Sequence, residues 1–191
     1  MPREQFLRVR GLRIRDRGRL PHWEADDASY FVTFRLHDSL PPHVIARLKN
    51  ERTHLRATAT TAAGRIAVNR AFGKLLDSFL DRGHGSGILR EHGEVVANAL
   101  RHFDGERYEL QAWCVMPNHV HVLLFIAGHA HLDRVVHSWK SYTAHMIGRG
   151  VIWAREYYDH VVRGPAEFER IREYIRANPR TAGLRDWPFV G

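Results

Sequence analysis

Two imidazoles one residue apart, His119 and His121, sit at the head of an apolar run, Val120-His121-Val122-Leu123-Leu124, directly after Pro117-Asn118. On a strand successive side chains alternate between faces, so the two histidines share one face while Val120 and Val122 enter the opposite layer. That spacing lets two ring nitrogens converge on one cation. Two histidines leave the coordination incomplete, and carboxylate, amide oxygen or water must supply the rest. In a chain with 14 histidines such a pair is common by chance, and taken alone it reads more readily as a polar sheet face whose imidazoles are merely solvated. A second group lies near the end of the chain. Tyr174 and Asn178 are four residues apart on a helix marked by Phe168, Ile171 and Ile175, and at about 100° per residue they fall together along one edge of its apolar stripe. A phenol and an amide oxygen are then presented jointly to whatever the helix covers. The plainer alternative is a packed tyrosine ring and an asparagine that ends the helix before Pro179.

The elements that must position these groups are legible in outline. Tyr30 to Leu36, rich in aromatic and β-branched residues, predicts a first strand. Pro41-Pro42 opens a helix through about Asn50. Residues 57–64 are small and of low complexity, a loop or weak helix end, and Ile66 to Leu80 follow with helical spacing until Gly83. A helix over 93–103, strands over 108–115 and 120–126 separated by Met116-Pro117-Asn118, and a helix over 132–147 stopped by Gly148 come next. A short strand near 151–153, an extended stretch through Tyr157-Tyr158 and a last helix from Pro165 to Ala177 complete the order. Mixed strands and helices with an adjacent strand pair predict an α+β fold, an antiparallel sheet with helices packed on one face. The first residues alternate arginine with apolar positions, which suits a strand or a loose basic arm; the arm is preferred, over 1–28, ahead of a single domain over 29–191.

At 191 residues the chain suits one domain with a real core, and 44% hydrophobic with 26% charged residues excludes wholesale disorder. Lys+Arg number 29 against 21 Asp+Glu, giving +8, and only Lys49, Lys74 and Lys140 are lysines. Guanidinium forks pair with phosphate at two points, which favours a nucleic-acid partner; a coding bias toward arginine gives the same composition. A single cysteine, Cys114, forms neither an internal disulfide nor a Cys-rich zinc site, so a reducing, cytoplasmic setting is expected. No apolar run approaches the ~20 residues of a membrane span, and no membrane partner is expected.

Four blocks in fixed order carry a more specific signal: Trp113 to Leu124 with the histidine pair, Trp139-Lys140-Ser141-Tyr142-Thr143, Trp153 with Tyr157-Tyr158-Asp159, and Tyr174-Ile175-Arg176-Ala177-Asn178-Pro179 with Ala182-Gly183-Leu184. Together they resemble the single-tyrosine HUH transposases, most of all the REP-associated tyrosine transposases related to IS200/IS605 elements. The resemblance spans about Tyr30 to Trp187 and is weak over residues 52–88. It implies a ferredoxin-like domain that cleaves and rejoins single-stranded DNA at or beside the hairpin of a palindromic repeat. It also implies a divalent ion, Mg²⁺ or Mn²⁺, held by His119, His121 and Asn178, with Tyr174 as nucleophile. Relatives more often place glutamine where this chain has the shorter Asn178. A homodimer, with Tyr174 acting in cis or in trans, is compatible with the resemblance.

A free phenol has a pKa of ~10, so Tyr174 needs help to attack phosphorus. The product is expected to be a 5′-phosphotyrosine and a free 3′-hydroxyl. Lys140, Arg134, Arg155 and Arg163, with Arg8, Arg10 and Arg13 of the arm, are the expected phosphate contacts. Tyr142 is the rival nucleophile, and His129, His131, His137, His145 and His160 are expected at the surface. Two other functions compete: a DNA or RNA hairpin-binding protein that keeps the fold without cutting, and an unrelated metallohydrolase acting on a small substrate.

Overall fold

The computed structural model describes residues 10–15, 22–59, 61–128 and 130–191. The strands are β1 (Arg10–Arg15), β2 (His22–Asp26), β3 (Ala28–Leu36), β4 (Glu109–Val115), β5 (His119–Ile126) and β6 (Trp153–Val161). The helices are α1 (Pro42–Thr58), α2 (Ala62–Leu80), α3 (Leu89–Arg101), α4 (Leu132–Ile147) and α5 (Pro165–Thr181). Four strands form one sheet in the order β4-β5-β3-β6, every neighbouring pair antiparallel. With α3 before β4 and α4 before β6 this is the split βαββαβ arrangement of a ferredoxin-like domain. The expected α+β class is what the chain adopts.

The helices occupy both faces of the sheet, where one face was expected. Alternation sorts the strands between two cores. Val120, Val122, Leu124 and Ile126 of β5 join Val32, Phe34 and Leu36 of β3 under α3 and α4, the pair that belongs to the ferredoxin-like unit. Phe31, Cys114, Leu123 and Tyr158 face the other way, against Val44 and Leu48 of α1, Leu76 and Leu80 of α2, and Phe168 and Ile175 of α5. The two histidines of β5 belong to this second face, so three further helices roof it. A strand set buried on both sides reads as a nearly continuous apolar run, which is how β5 reads.

Several boundaries differ from the periodicity. α1 runs on to Thr58, and α2 restarts at Thr61, whose side chain accepts from the Gly64 N–H as an N-cap. α3 begins at Leu89, four residues before Gly93. A Cβ on Gly93 would lie 2.3 Å from the Phe189 ring, so this glycine serves helix packing rather than helix entry. Trp153 to Val161 is one continuous strand. α5 continues through Pro179 to Thr181; a proline this late removes only one hydrogen bond, and its ring is buried.

Residues 10–15 form a strand antiparallel to β2, where a loose arm was preferred, and the two make a separate ribbon. A period-two alternation of arginine and apolar residues is the period of a strand. The ribbon is fastened to the domain through β2. His22 Nδ1 lies 2.5 Å from Asp159 Oδ1, its ring stacks on Tyr157 at 4.3 Å, and Tyr30 Oη donates to the Ala25 carbonyl at 2.9 Å. Arg10 and Arg13 lie on β1, and Arg8 falls outside the described residues.

Candidate active site

His119 and His121 are fully buried, with Nε2 atoms 3.0 Å apart. A buried imidazole without partners is costly, so each ring's second nitrogen must be satisfied. Asn118 does this for His119. Its Nδ2 donates to the carbonyls of Leu80 and His84 at 3.2 and 3.0 Å, which fixes the amide orientation. Oδ1 then accepts from His119 Nδ1–H at 2.7 Å, leaving the Nε2 lone pair of His119 aimed inward. His121 is held from β3, because Thr33 stands opposite it in register and its hydroxyl lies 2.8 Å from His121 Nδ1. The hydroxyl can accept from Nδ1–H or donate to Nδ1 by rotation alone. In the second state His121 Nε2–H donates to His119 Nε2; in the first, two lone pairs face one another. Burial pushes His119 down to about 3, and burial together with His119 drives His121 well below the ordinary imidazole range, so both rings are neutral near pH 7.

Tyr174 reaches this pair from α5. Its hydroxyl lies 3.4 Å from His121 Nε2, and its ring packs edge-on against His121 and Phe31 at 5.3 and 6.1 Å. Ile175, fully buried in the core beneath, sets the rotation of the helix. Glu167 pins the first turn, accepting from His160 Nε2 at 3.0 Å and the Arg163 N–H at 3.0 Å and pairing with Arg70. One turn after Tyr174, Asn178 is buried. Its side chain hydrogen bonds with Asp81, while its Oδ1 has no hydrogen-bond partner. Asp81 in turn lies 4.0 Å from His119 Nε2. The three residues expected to hold a cation are therefore gathered beside Tyr174.

Two ligands at right angles on an octahedral ion with bonds of ~2.1 Å stand about 3.0 Å apart. The observed Nε2 separation meets that value, so the two nitrogens fit adjacent positions on a divalent cation of octahedral habit. Asn178 Oδ1 is buried without a hydrogen-bond partner, which leaves an amide oxygen with unused acceptor capacity. Among the described residues no group of three or more His, Cys, Asp or Glu side chains could hold a metal ion.

Sequence reasoning missed two carboxylates. Asp77 and Asp81, near and just past the C-terminal end of α2, approach Tyr174 and Asn178. Burial, then Asp81, push Asp77 up to about 7, and the neighbouring Tyr174 phenol acts downward. Burial and the charges of Asp77 and Asp81 hold the Tyr174 phenol well above its ordinary range. Their only sequence signal was spacing: Leu76, Phe79 and Leu80 define a buried stripe, and Asp77 borders it. A cleft of about 600 Å³ between α2 and α5 exposes Tyr174 and Asp77 beside Arg70, Lys74 and Arg170.

The other expected residues are dispersed. Lys140 donates its Nζ to the carbonyls of Ala154 and Arg155 at 2.8 and 2.9 Å, tying α4 to β6, and burial pushes it down to about 8. Arg134 is exposed on α4, on the sheet face away from the histidines. Arg155 lines a second cleft of about 590 Å³ with Arg35, Lys49 and Arg52, and Arg163 is half-buried just before α5. Tyr142, 52% exposed, rides on α4 across the sheet from His121 and cannot serve as nucleophile with this pair. His160, expected at the surface, is buried against Glu167; His129 falls outside the described residues.

The family model described as "Transposase IS200 like" matches residues 87–178, which run from just before α3 through Asn178. A solved REP-associated tyrosine transposase bound to a REP hairpin superposes with a TM-score of 0.56 at 19% identity, covering 85% of this chain and 75% of that one. A candidate transposase from Deinococcus radiodurans R1 is 16% identical over 78% of this chain and 89% of that one, with a TM-score of 0.35. No curated protein matches.

Proposed function

We propose that the protein is a single-stranded-DNA endonuclease and strand transferase that acts at or beside a hairpin, a reading supported by the match of residues 87–178 to the family model described as "Transposase IS200 like". The observation that carries this is the convergence of the Tyr174 hydroxyl on His121 Nε2, itself 3.0 Å from His119 Nε2. A hydroxyl nucleophile poised against a buried pair of neutral imidazoles suits attack on a phosphodiester better than hydrolysis of a small substrate. The solved transposase that shares the fold is bound to a REP hairpin, which supports a palindromic DNA hairpin as substrate.

The chain's own residues divide the work. His119, His121 and Asn178 would hold the divalent cation, Mg²⁺ or Mn²⁺, oriented by Asn118 and Thr33. When bound, the ion supplies positive charge to a phosphate oxygen and reverses the local bias toward a neutral phenol. The Tyr174 oxygen attacks the scissile phosphorus as the bond to the 3′-oxygen breaks, leaving a 5′-phosphotyrosine and a free 3′-hydroxyl. The bond energy is conserved in the adduct, so rejoining needs no nucleotide triphosphate. Arg70, Lys74 and Arg170 of the cleft are placed to receive the flanking backbone.

The test is incubation of the protein with end-labelled hairpin oligonucleotide and Mn²⁺, resolved on denaturing gels. A covalent adduct is expected with the wild type, none with EDTA, and none with Tyr174→Phe. Adduct formation by Tyr174→Phe would overturn the assignment. Tight hairpin binding by the wild type without any adduct would identify a non-cleaving binding protein instead.

A further inference from the structure

We propose that Asp77 is a catalytic residue, the group that takes the proton from Tyr174 on cleavage and returns it on rejoining. The inference rests on the strand-transferase reading and extends it to a helix that lies ahead of the matched family segment.

The hydrogen bond of the Tyr174 hydroxyl is with His121 Nε2, at 3.4 Å; this nitrogen faces His119 Nε2 at 3.0 Å and would be taken up by the cation. The carboxyl that lines the same cleft as Tyr174 and interacts with its phenol is Asp77. One oxygen of Asp77, Oδ1, is buried without any hydrogen-bond partner, so the carboxyl has acceptor capacity that no structural bond uses. It also lines the cleft that exposes Tyr174. Facing Asp77 are Tyr174 of α5, Cys114 of β4 and Tyr158 of β6, with Asp81 one turn further along its own chain. Arg70, Lys74 and Arg170 line the same cleft without an ion pair to Asp77 among the described residues, whereas Glu167 nearby accepts from His160 and the Arg163 N–H, pairs with Arg70 and is held down to about 2 despite its burial. The two buried carboxyls of this region are thus set apart: one is locked as a structural anion, the other is left ready to take a proton. A base is most effective when its pKa lies near the working pH, and Asp77 is raised to about 7.

The proton balance is closed. On cleavage the phenol proton moves to Asp77, the phosphorus–oxygen bond to tyrosine forms, and the leaving 3′-oxygen takes a proton from solvent. On rejoining a 3′-hydroxyl loses its proton to solvent and attacks the adduct, and Asp77 gives its proton back to the departing phenolate. No oxidant or further reactant is needed.

The experiment compares single-turnover adduct formation by the wild type and Asp77→Asn between pH 5 and 8.5 with hairpin DNA and Mn²⁺. Hairpin affinity and thermal unfolding of both proteins are measured alongside. The near-isosteric amide keeps the side-chain volume but takes no proton. The expected result is adduct formation slower by about 100-fold or more at unchanged hairpin affinity. The wild-type rate should rise with pH as Asp77 ionises, and the variant should lose that rise. An Asp77→Asn rate within threefold of wild type, or a wild-type rate flat in pH, would overturn the proposal while leaving the transferase reading intact. A wild type that binds hairpin DNA without forming an adduct overturns both.

Discussion

Replacing Asp77 by asparagine should make the metal-free protein more stable at alkaline pH, and the size of the gain can be worked out. A carboxyl whose pKa rises from 3.8 unfolded to about 7 folded keeps its proton longer in the native state. Between those values the native state binds more protons than the unfolded one, so stability falls as pH rises, and above about pH 7 the full cost is present. The separation corresponds to about 4 kcal/mol, since each pKa unit is worth ~1.4 kcal/mol. Relaxation around Asp81 and the desolvation of the new amide reduce what is recovered. A gain of about 2 kcal/mol at pH 8 is a fair expectation, equivalent to roughly 4–8 °C in a chain of this size. At pH 4.5 the native carboxyl is protonated but the unfolded one is already mostly ionised, so about a quarter of the cost remains and the two proteins should differ by about 0.5–1 kcal/mol. Urea unfolding in EDTA at pH 4.5, 6 and 8 reads this directly. A variant that is destabilised at pH 8, or whose difference from wild type does not change with pH, would refute the buried, raised carboxyl and with it the physical basis of its role.

Thr33→Val removes the hydroxyl that orients His121 while keeping the volume, so Mn²⁺ affinity measured calorimetrically should fall by about 10–100-fold with the fold unchanged; an unaltered affinity would show that His121 is positioned otherwise. Raising salt from 50 to 300 mM should weaken hairpin DNA binding by roughly tenfold or more, because the clefts beside Tyr174 and Arg155 are lined by Arg35, Lys49, Arg52, Arg70, Lys74 and Arg170. Affinity insensitive to salt in a fluorescence titration would move recognition away from the phosphates.

What could be read from the residues depended on whether a signal was local. The shared face of His119 and His121 follows from strand alternation alone, and the pairing of Tyr174 with Asn178 follows from one helical turn. Both survive because neighbouring strands and helices cannot change those periods. The meeting of the two groups is a tertiary fact: it needs α5 laid across β5, and Ile175 and Glu167, which lay it there, look like ordinary core and surface residues in sequence. Lys140 shows the converse. It looked like a phosphate contact by type, yet its ammonium is held by two carbonyls of β6, a partner 14 and 15 residues away that no periodicity announces. The arginines of β1 were read as a loose arm because charge was weighed above alternation, and the alternation was the better guide.

The division of the site between α2 and the ferredoxin-like frame explains why both carboxylates escaped notice. A ferredoxin-like sheet with helices on one face leaves the histidine face open, and open imidazoles would stay solvated, with ordinary basicity. α2 closes that face. Its approach is tight enough that a Cβ on Gly73 would sit 2.5 Å from the Tyr158 ring, so this position on the helix demands glycine. Once closed, the face desolvates the histidines, which keeps them neutral, and desolvates Asp77, which keeps a proton within its reach near neutrality. The same burial acts in opposite directions on the basic and acidic groups, and both outcomes favour the chemistry: unprotonated nitrogens to hold a cation, and a carboxyl ready to exchange a proton with Tyr174. A helix that seems incidental to the histidine motif in sequence thereby sets the protonation state of each group the motif depends on.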